Sequence, residues 1–257
     1  MRNYKISYTL KISIITVCFN SEKTIRDTIN SLFSQSYSNI EYILVDGMSN
    51  DNTMNIVNEF RQKFDIIISE VDFGMYDALN KGIQAATGDI IGILNSDDIF
   101  SSNNLLQLLA FEFKQNPNLD ALIGDIAFKS NDRIIRYYSS KNWDAKKFKF
   151  GVMPPHPSFY CKRELFFKYG LYNKNFIIAG DFELLLRFIL INKINYKYIP
   201  LQMVDMKLGG LSTNGIKSLL RINEEIILAF KINSLKTNYF NLTIRYFCKA
   251  FQYFFYK

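Results

Sequence analysis

Short apolar runs alternate with helical patterns through the first hundred residues of the chain. The runs are rich in Ile and Val and end in polar residues, which is typical of strands in a sheet covered by helices. Between them, apolar residues recur at helical spacing, as at Ile25, Ile29 and Leu32. The predicted strands are Ile12–Val17, Ile40–Val45, Ile66–Ile68 and Ile90–Leu94, and the predicted helices between them are Glu22–Ser36, Asp51–Phe64 and Tyr76–Ala86.

The second half of the chain has a mixed pattern. No repeat, low-complexity tract or Gly/Ser linker divides the 257 residues, so we predict one α/β domain over 1–230, with a Rossmann-like, mostly parallel sheet flanked by helices, and a C-terminal helical appendage over 231–257. The further predicted elements are a helix at Leu105–Gln115, strands at Ala121–Phe128 and Arg133–Tyr138, helices at Lys162–Tyr169, Asp181–Ile191 and Gly215–Phe230, and an extended segment at Tyr196–Met206.

Polar side chains cluster after the predicted strands of the first half. Open α/β sheets bind ligands outside the carboxyl ends of their strands, so these side chains are expected to line one cleft at that edge of the sheet. In chain order they are Thr16, Asn20, Asp46, Ser49, Asp72, Asn95, Asp97 and Asp98.

Several common chemistries are excluded by the residues present. The chain has neither G-x-x-x-x-G-K-[ST] nor G-x-G-x-x-G, so a phosphate loop and a standard dinucleotide site are unsupported. It has one histidine and three widely spaced cysteines, which argues against a zinc site and favours a reducing compartment. No apolar stretch approaches the ~20 residues that span a bilayer, and Met1–Lys11 is no signal peptide. We therefore expect a cytoplasmic protein.

Asn95-Ser96-Asp97-Asp98 is the most informative segment. A buried strand delivers adjacent carboxylates, hard oxygen ligands that suit Mg²⁺ or Mn²⁺ and leave coordination positions for a substrate diphosphate. Such a metal would neutralise a phosphate leaving group. The same two acids also suit a turn or a helix N-cap, and that alternative stays open.

Asp181 and Glu183 open an apolar helix in the second half. A carboxylate at a helix start that faces a cleft is a candidate general base, although Asp181 also suits a simple N-cap. The two acids lie about 200° apart around the helix axis, so only one of them is expected to face the site.

Two other segments are candidates for contacts to the acceptor or to a diphosphate. His156 lies in a loop made rigid by Pro154, Pro155 and Pro157, and it either makes such a contact or caps a backbone carbonyl. Lys207 precedes Gly209-Gly210-Leu211-Ser212, which is either a mobile loop that closes over a diphosphate, with Lys207 as its counter-charge, or an ordinary turn.

The net charge of +7 is unevenly distributed. Residues 231–257 contain five basic residues, no acidic residue, and nine aromatic residues between Tyr239 and Tyr256. A basic, aromatic segment is typical of a surface that binds anionic lipid headgroups. Nucleic acid is the rival partner and is not expected, and a final helix packed on the core is the structural alternative.

Five ordered motifs over roughly residues 11–213 resemble the inverting family 2 glycosyltransferases with the GT-A fold, and in particular the branch that builds bacterial capsule, O-antigen or exopolysaccharide. The segment from Val45 resembles the family's V-D-D-G-S-x-D-x-T, Asn95-Ser96-Asp97 stands where the family has D-x-D, and Asp181 where it has its catalytic acid. The motifs are Ser13–Asn20, Val45–Thr53, Ser69–Ile83, Leu94–Asp98 and Gly180–Glu183.

The resemblance implies a role for each matching residue. Asp181 becomes the catalytic base, and Asp97 binds Mn²⁺ or Mg²⁺. Gly47 stands where the family usually has Asp, and Asn95 replaces the first Asp of D-x-D, where its amide can still hydrogen-bond ribose or a metal-bound water. The implied nucleotide-sugar contacts are Thr16, Val17, Phe19, Asn20, Asp46, Ser49, Asp72, Asn80, Asn95 and Ser96.

The implied reaction is a direct displacement with inversion. Asp181 takes the proton of an acceptor hydroxyl while the metal stabilises the departing nucleoside diphosphate. The expected donor is a UDP-sugar and the expected acceptor a saccharide on a polyprenyl diphosphate, which fits a basic tail on the inner face of the cytoplasmic membrane.

Two other classes of protein stay open. A nucleotidyltransferase would carry a Gly-rich basic loop after the first strand, whereas Thr16–Glu22 has no glycine. The second is a non-catalytic module that binds nucleotide-sugars or anchors an assembly complex to the membrane. The sequence indicates no oligomeric state.

Overall fold

The computed structural model describes residues 9–130, 133–207 and 215–254, with residues 215–216 and 247–254 described by their backbone alone. Strands and helices alternate in the first half, as the apolar pattern predicts. The strands are β1 (Ile12–Cys18), β2 (Ile40–Asp46), β3 (Ile66–Ser69), β4 (Ile90–Ile93), β5 (Asp98–Phe100), β6 (Ala121–Ser130), β7 (Arg133–Tyr138), β8 (Tyr160–Lys162) and β9 (Tyr196–Lys207). The helices are α1 (Ile25–Phe33), α2 (Thr53–Glu59), α3 (Met75–Ala85), α4 (Leu105–Gln115), α5 (Glu164–Tyr169), α6 (Gly180–Leu185), α7 (Gly215–Ile232) and α8 (Tyr239–Phe254).

One sheet joins all nine strands, in the order β3-β2-β1-β4-β8-β6-β9-β5 with β7 beside β6. The first four are parallel, with Cys18 opposite Asp46 and Asp46 opposite Ser69, so their carboxyl ends share one edge. The β6–β9 pair is also parallel, while β8, β5 and β7 run antiparallel to their neighbours. The predicted α/β fold, with a mixed second half, is confirmed.

The sheet is buried on both faces, because successive residues of β1 point into different helical layers. Ile15 and Val17 pack with residues of α3, α6 and α7, whereas Ile12 and Ile14 pack with α4. Burial of aliphatic side chains of this kind stabilises by about 1.5–3 kcal/mol each. The inner strands are therefore fixed on a rigid support, and the loops at their carboxyl ends are held in place by it.

The sequence did not predict β5 or β8. Both are three residues long and are defined by partners far along the chain, as where Asp98 lies opposite Met206. The helix predicted from Lys162 begins instead at Glu164, since Lys162 ends β8. The helix predicted over Asp181–Ile191 is α-helical to Leu185 and then continues as a π-helix over Leu186–Ile191.

The basic C-terminal segment forms α8, and the part with described side chains packs on the domain. Leu242 is 1% exposed within the main core, and the Thr237 hydroxyl donates to Lys149 O at 2.8 Å. Arg245 donates to Asn223 Oδ1 on α7 at 2.6 Å. The boundary predicted between residues 230 and 231 falls inside α7. Across the described residues, none of the helices combines the length and the apolar character needed to cross a membrane.

Candidate active site

Hydrogen bonds between Asn20, Ser49 and Asn50 join the loops that follow β1 and β2, and Asp46 holds Ser49 in place. Asp46 is fully buried, and it accepts hydrogen bonds from the hydroxyls of Ser49 at 2.5 Å and Ser69 at 2.7 Å. The hydroxyl of Ser49 in turn accepts the backbone N–H of Asn20 at 2.8 Å, and Asn20 Oδ1 accepts that of Asn50. Asn20, Asp46 and Ser49 are thus brought together as predicted, with the oxygens of Asp46 engaged by protein groups.

The loop after β3 lies against the same place. Asp72 Oδ1 accepts the N–H of Gly74 at 2.8 Å, and a Cβ at Gly47 would lie 2.4 Å from Asp72 Oδ2 and 3.5 Å from Phe19 Cδ2. The carboxylate of Asp72 therefore occupies the space that a side chain at position 47 would need. A side chain at position 47 would require the Asp72 carboxylate to shift. The ring of Phe19 is 60% exposed beside it.

Thr16 and Val17 lie deeper, on β1. Both are buried, and Thr16 Oγ1 finds no hydrogen-bond partner among the described residues. A buried polar atom without a partner costs about 1–3 kcal/mol, so native proteins rarely keep one without a reason. The Thr16 hydroxyl is therefore a candidate ligand contact, whereas Val17 offers the site only its backbone and an apolar surface.

The segment after β4, residues 95–98, supplies acidic side chains to the cleft at the carboxyl edge of the sheet. Asn95 Nδ2 donates to Asp98 Oδ2 at 3.1 Å, while Asn95 Oδ1 and Asp98 Oδ1 are buried with no partner in the described part of the chain. Burial raises the pKa of Asp98 well above its ordinary value, and the neighbouring Asp97 raises it further. Ser96 shares a 2.8 Å hydrogen bond with the hydroxyl of Ser21 in the loop after β1.

Asp97, the residue predicted to bind the metal, is half-buried. Burial raises its pKa, while the positive charge of Lys207 acts in the opposite direction. The described residues contain no group of three or more His, Cys, Asp or Glu side chains that would enclose a metal. One carboxylate with the unpartnered Asn95 Oδ1 nearby still fits Mg²⁺ or Mn²⁺, which are held by one or two carboxylates together with substrate phosphates and water.

Asp181 lies in the first turn of α6. Its Oδ1 accepts the backbone N–H of Phe182 at 2.8 Å and lies 3.5 Å from the Tyr76 hydroxyl, while Oδ2 has no hydrogen bond from the described residues. Burial raises the pKa of Asp181 to about 6. A carboxylate with one free oxygen and a pKa near neutrality suits proton transfer. Glu183 turns away from Asp181 and pairs with Arg187 at 2.9 Å.

Three predicted contacts are occupied by protein groups. His156 is 9% exposed and its Nε2 lies 2.6 Å from the Tyr172 hydroxyl, and burial lowers the pKa of its ring to about 4. Asn80 uses both ends of its amide on the backbone of Tyr172, at 2.9 Å each. Lys207 pairs with Asp27 at 2.8 Å, and the predicted loop Gly209–Ser212 lies outside the described residues.

Sequence reasoning missed two residues that contact the Asp181 segment. Tyr76 was part of a recognised motif without a role, although it is a polar aromatic residue on the buried face of α3. Glu225 lies on α7, beyond all the motifs. The sequence does contain a signal for Glu225, because it is an acidic residue on the apolar face of a helix. Ile222, Ile226 and Ala229 lie on the same face at helical spacing.

Comparison with known proteins gives one family match. Residues 13–181 match the family model described as "Glycosyl transferase family 2". A relative from Mycobacterium tuberculosis, named PGL/p-HBAD biosynthesis glycosyltransferase, is 28% identical over 205 residues, which cover 78% of each chain.

Solved structures share the fold at low sequence identity. The crystal structure of S. aureus TarS 1-349 in complex with UDP-GlcNAc has a TM-score of 0.68 at 18% identity, over 86% of this chain and 66% of that one. A mannosyltransferase from Pyrobaculum calidifontis, in complex with GDP-Man and Mn²⁺, has a TM-score of 0.66 at 18% identity, over 90% of this chain and 67% of that one. The chain thus spans about two-thirds of each crystallised protein.

Proposed function

Since this chain belongs to glycosyltransferase family 2, we propose that it transfers a hexosyl group from a UDP-sugar to a hydroxyl of a lipid-linked saccharide, with inversion, in bacterial surface polysaccharide synthesis. The observation that carries the proposal is Asp181, with one free carboxyl oxygen and a pKa of about 6. The alternative, a non-catalytic nucleotide-sugar-binding module, has no need of such a group.

The donor is proposed to bind across the loops after β1, β2 and β3. The exposed ring of Phe19 offers a face for the uracil, and the Thr16 hydroxyl offers a hydrogen bond that no described residue takes. Asp46 and Ser49 would shape this wall, because Asp46 holds the Ser49 hydroxyl that accepts the backbone N–H of Asn20 in the loop after β1. Asp72 presents its Oδ2 against Gly47, at the edge where the sugar would lie. One structural neighbour was solved in complex with UDP-GlcNAc, which supports UDP as the nucleotide, and another with GDP-Man.

The leaving group is proposed to lie beside Asp97. A divalent metal, when bound, would neutralise the charge that develops on the departing diphosphate. Asp97 would hold it through its carboxylate, Asn95 through its free amide oxygen, and Ser96 would keep the segment fixed to the loop after β1. Lys207, which already lowers the pKa of Asp97, would add a positive charge near the phosphates once released from Asp27.

In the proposed chemical step, the acceptor hydroxyl attacks the anomeric carbon while its proton passes to Asp181 Oδ2. The new C–O bond forms as the bond from the anomeric carbon to the diphosphate oxygen breaks, and UDP leaves. One displacement from one face gives inversion. Because only the ionised carboxylate accepts a proton, turnover should rise as the pH increases through about 6.

The acceptor is proposed to reach the site from an anionic membrane surface. Phe240 is 78% exposed and Tyr239 59% exposed on α8, while Leu220 on α7 is 58% exposed. Lys231, in the last turn of α7, and Lys236, between the two helices, are also exposed. Apolar side chains flanked by cations are typical of peripheral binding to anionic lipid. This surface would place the chain at the inner face of the cytoplasmic membrane.

A release assay tests the proposal. The full chain is incubated with UDP-glucose, UDP-galactose or UDP-GlcNAc, with and without membrane lipid extract and Mn²⁺, and free UDP is measured. We expect release from at least one donor, increased by the lipid extract. Binding of a UDP-sugar with no release under any condition would favour the non-catalytic module.

A further inference from the structure

The segment that carries Asp181 has almost no regular structure of its own before α6 begins. Residues 171–179 form neither helix nor strand, and Ile177 is 56% exposed. Ordering the backbone of such a segment costs about 1–2 kcal/mol per residue, so its position depends on specific contacts. The contacts that the structure gives it come mainly from two helices, α3 and α7.

The first contact is the hydroxyl of Tyr76 on α3. It donates to Ile178 O at 2.7 Å and accepts the backbone N–H groups of Gly180 at 2.8 Å and Asp181 at 3.3 Å. A Cβ at Gly180 would lie 2.7 Å from ring atoms of Tyr76, so only glycine allows this approach. Asn80, one turn further along α3, holds the backbone of Tyr172 at the start of the segment.

The second contact is the carboxylate of Glu225 on α7. It is 6% exposed, and it accepts the N–H groups of Ile177 at 3.1 Å, Ile178 at 2.9 Å and Ala179 at 2.8 Å. Arg221 donates to the same carboxylate at 3.2 Å. One buried carboxylate thus accepts hydrogen bonds from three successive backbone amides. This arrangement fixes the position of the backbone, because hydrogen bonds to charged acceptors are short and strong.

We propose that Tyr76 and Glu225 are the positioning residues of Asp181, which they hold through the backbone of residues 177–181. The proposal rests on the proposed role of Asp181 as the base. Glu225 lies 44 residues beyond the family match, so this chain places its base with a helix outside the matched region. Because a misplacement on the order of 1 Å costs about 10²-fold in rate, loss of either contact should lower turnover without removing donor binding.

The two residues act on the charge of Asp181 in opposite directions. The Tyr76 hydroxyl, 3.5 Å from Asp181 Oδ1, lowers the pKa of Asp181 and the negative charge of Glu225 raises it, while burial has the larger effect. The other ionisable groups around it are Tyr172, whose own pKa burial raises well above its ordinary value, and the Glu183–Arg187 pair on its own helix. Tyr76→Phe should therefore move the acid limb of the pH–rate profile to higher pH, and Glu225→Gln to lower pH.

The test compares the full chain with Tyr76→Phe and Glu225→Gln. Tyr198→Phe, which removes a hydroxyl bonded to Asp125, and Glu224→Gln, at an exposed neighbour, are the matched controls. Hydrogen–deuterium exchange of the peptide containing residues 173–183 should increase in both variants and stay unchanged in the controls. With UDP-GlcNAc, UDP-glucose or UDP-galactose, whichever the parent consumes, UDP release should fall roughly 10- to 100-fold at constant donor Kd.

Two results would overturn the proposal. The first is that hydrogen–deuterium exchange of this peptide is unchanged in both variants. The second is that turnover of the variants falls only in proportion to the fraction of folded protein, while the acid limb of the pH–rate profile stays at the pH of the parent. A separate variant, Asp181→Asn, distinguishes this failure from that of the proposed function. If Asp181→Asn is inactive and the two variants behave as the parent, the positioning role is wrong and the base assignment stands. If Asp181→Asn retains full turnover, the base assignment itself is wrong.

Discussion

Asp181→Asn removes a carboxyl whose ionisation is made costly by burial, and it should make the protein more stable above pH 7. The folded pKa of about 6 exceeds the ordinary value of 3.8 because the group is buried. Folding therefore favours the protonated form. The penalty of ionisation is nearly absent below pH 3.8, grows as the pH rises, and is complete above about 6.

The magnitude follows from the two pKa values. Their difference corresponds to about 3 kcal/mol in the free energy of unfolding at pH 8, and to about 0.5 kcal/mol at pH 4. Asn is nearly the same size, and its Oδ1 can still accept the N–H of Phe182. The variant should therefore recover most of this free energy at pH 8 and little of it at pH 4.

Urea unfolding of parent and variant at pH 4 and pH 8 measures this directly. Asp125→Asn is the matched control, because Asp125 is 4% exposed and accepts from Ser140 N, Tyr137 and Tyr198. It should lose about 1–3 kcal/mol at both pH values, since it removes a buried acceptor. An Asp181→Asn variant that gains equally at the two pH values, or loses stability at pH 8, would refute the account of its pKa.

Three further predictions concern the metal, the donor and the membrane. Asp97→Asn should abolish the dependence of UDP release on Mn²⁺, whereas Asp98→Asn should reduce release less, and a manganese titration compares them. Gly47→Ala places a Cβ 2.4 Å from Asp72 Oδ2, so the carboxylate proposed to face the donor must move. Calorimetry should show a donor Kd roughly tenfold higher, which is a loss of about 1.4 kcal/mol in binding free energy. An unchanged Kd would contradict the close approach. Phe240→Ser should weaken cosedimentation with anionic vesicles while the thermal melt stays the same, because the ring is 78% exposed; retention of full binding would exclude α8 from the contact.

The parallel half of the sheet could be predicted because its information is local. Each of β1 to β4 is a mainly apolar run with polar residues at its carboxyl end or just after it, and the parallel order brings those ends to one edge. The strands β5 and β8 could not be predicted, because three residues have no period of their own and become strands only by pairing with distant segments.

The candidate site divides in the same way. Asp46, Ser49 and Asn20 follow strands and meet as the topology requires. His156 was predicted either to contact a ligand or to cap a backbone carbonyl, but its ring packs against Tyr172, and a single loop sequence carries no information on what packs over it. Glu225 was missed because its partners, the amides of residues 177–179, are backbone groups that leave no trace in the sequence.

Donor binding and turnover in Asp181→Asn test the central claim most directly. Calorimetry with the UDP-sugar that the parent consumes gives donor Kd, and UDP release under the same conditions gives turnover. The account predicts an unchanged Kd with release lowered by about 10²- to 10⁴-fold, as expected for the loss of a general base. Release equal to that of the parent, or loss of donor binding together with turnover, would contradict the assignment of Asp181 as the base.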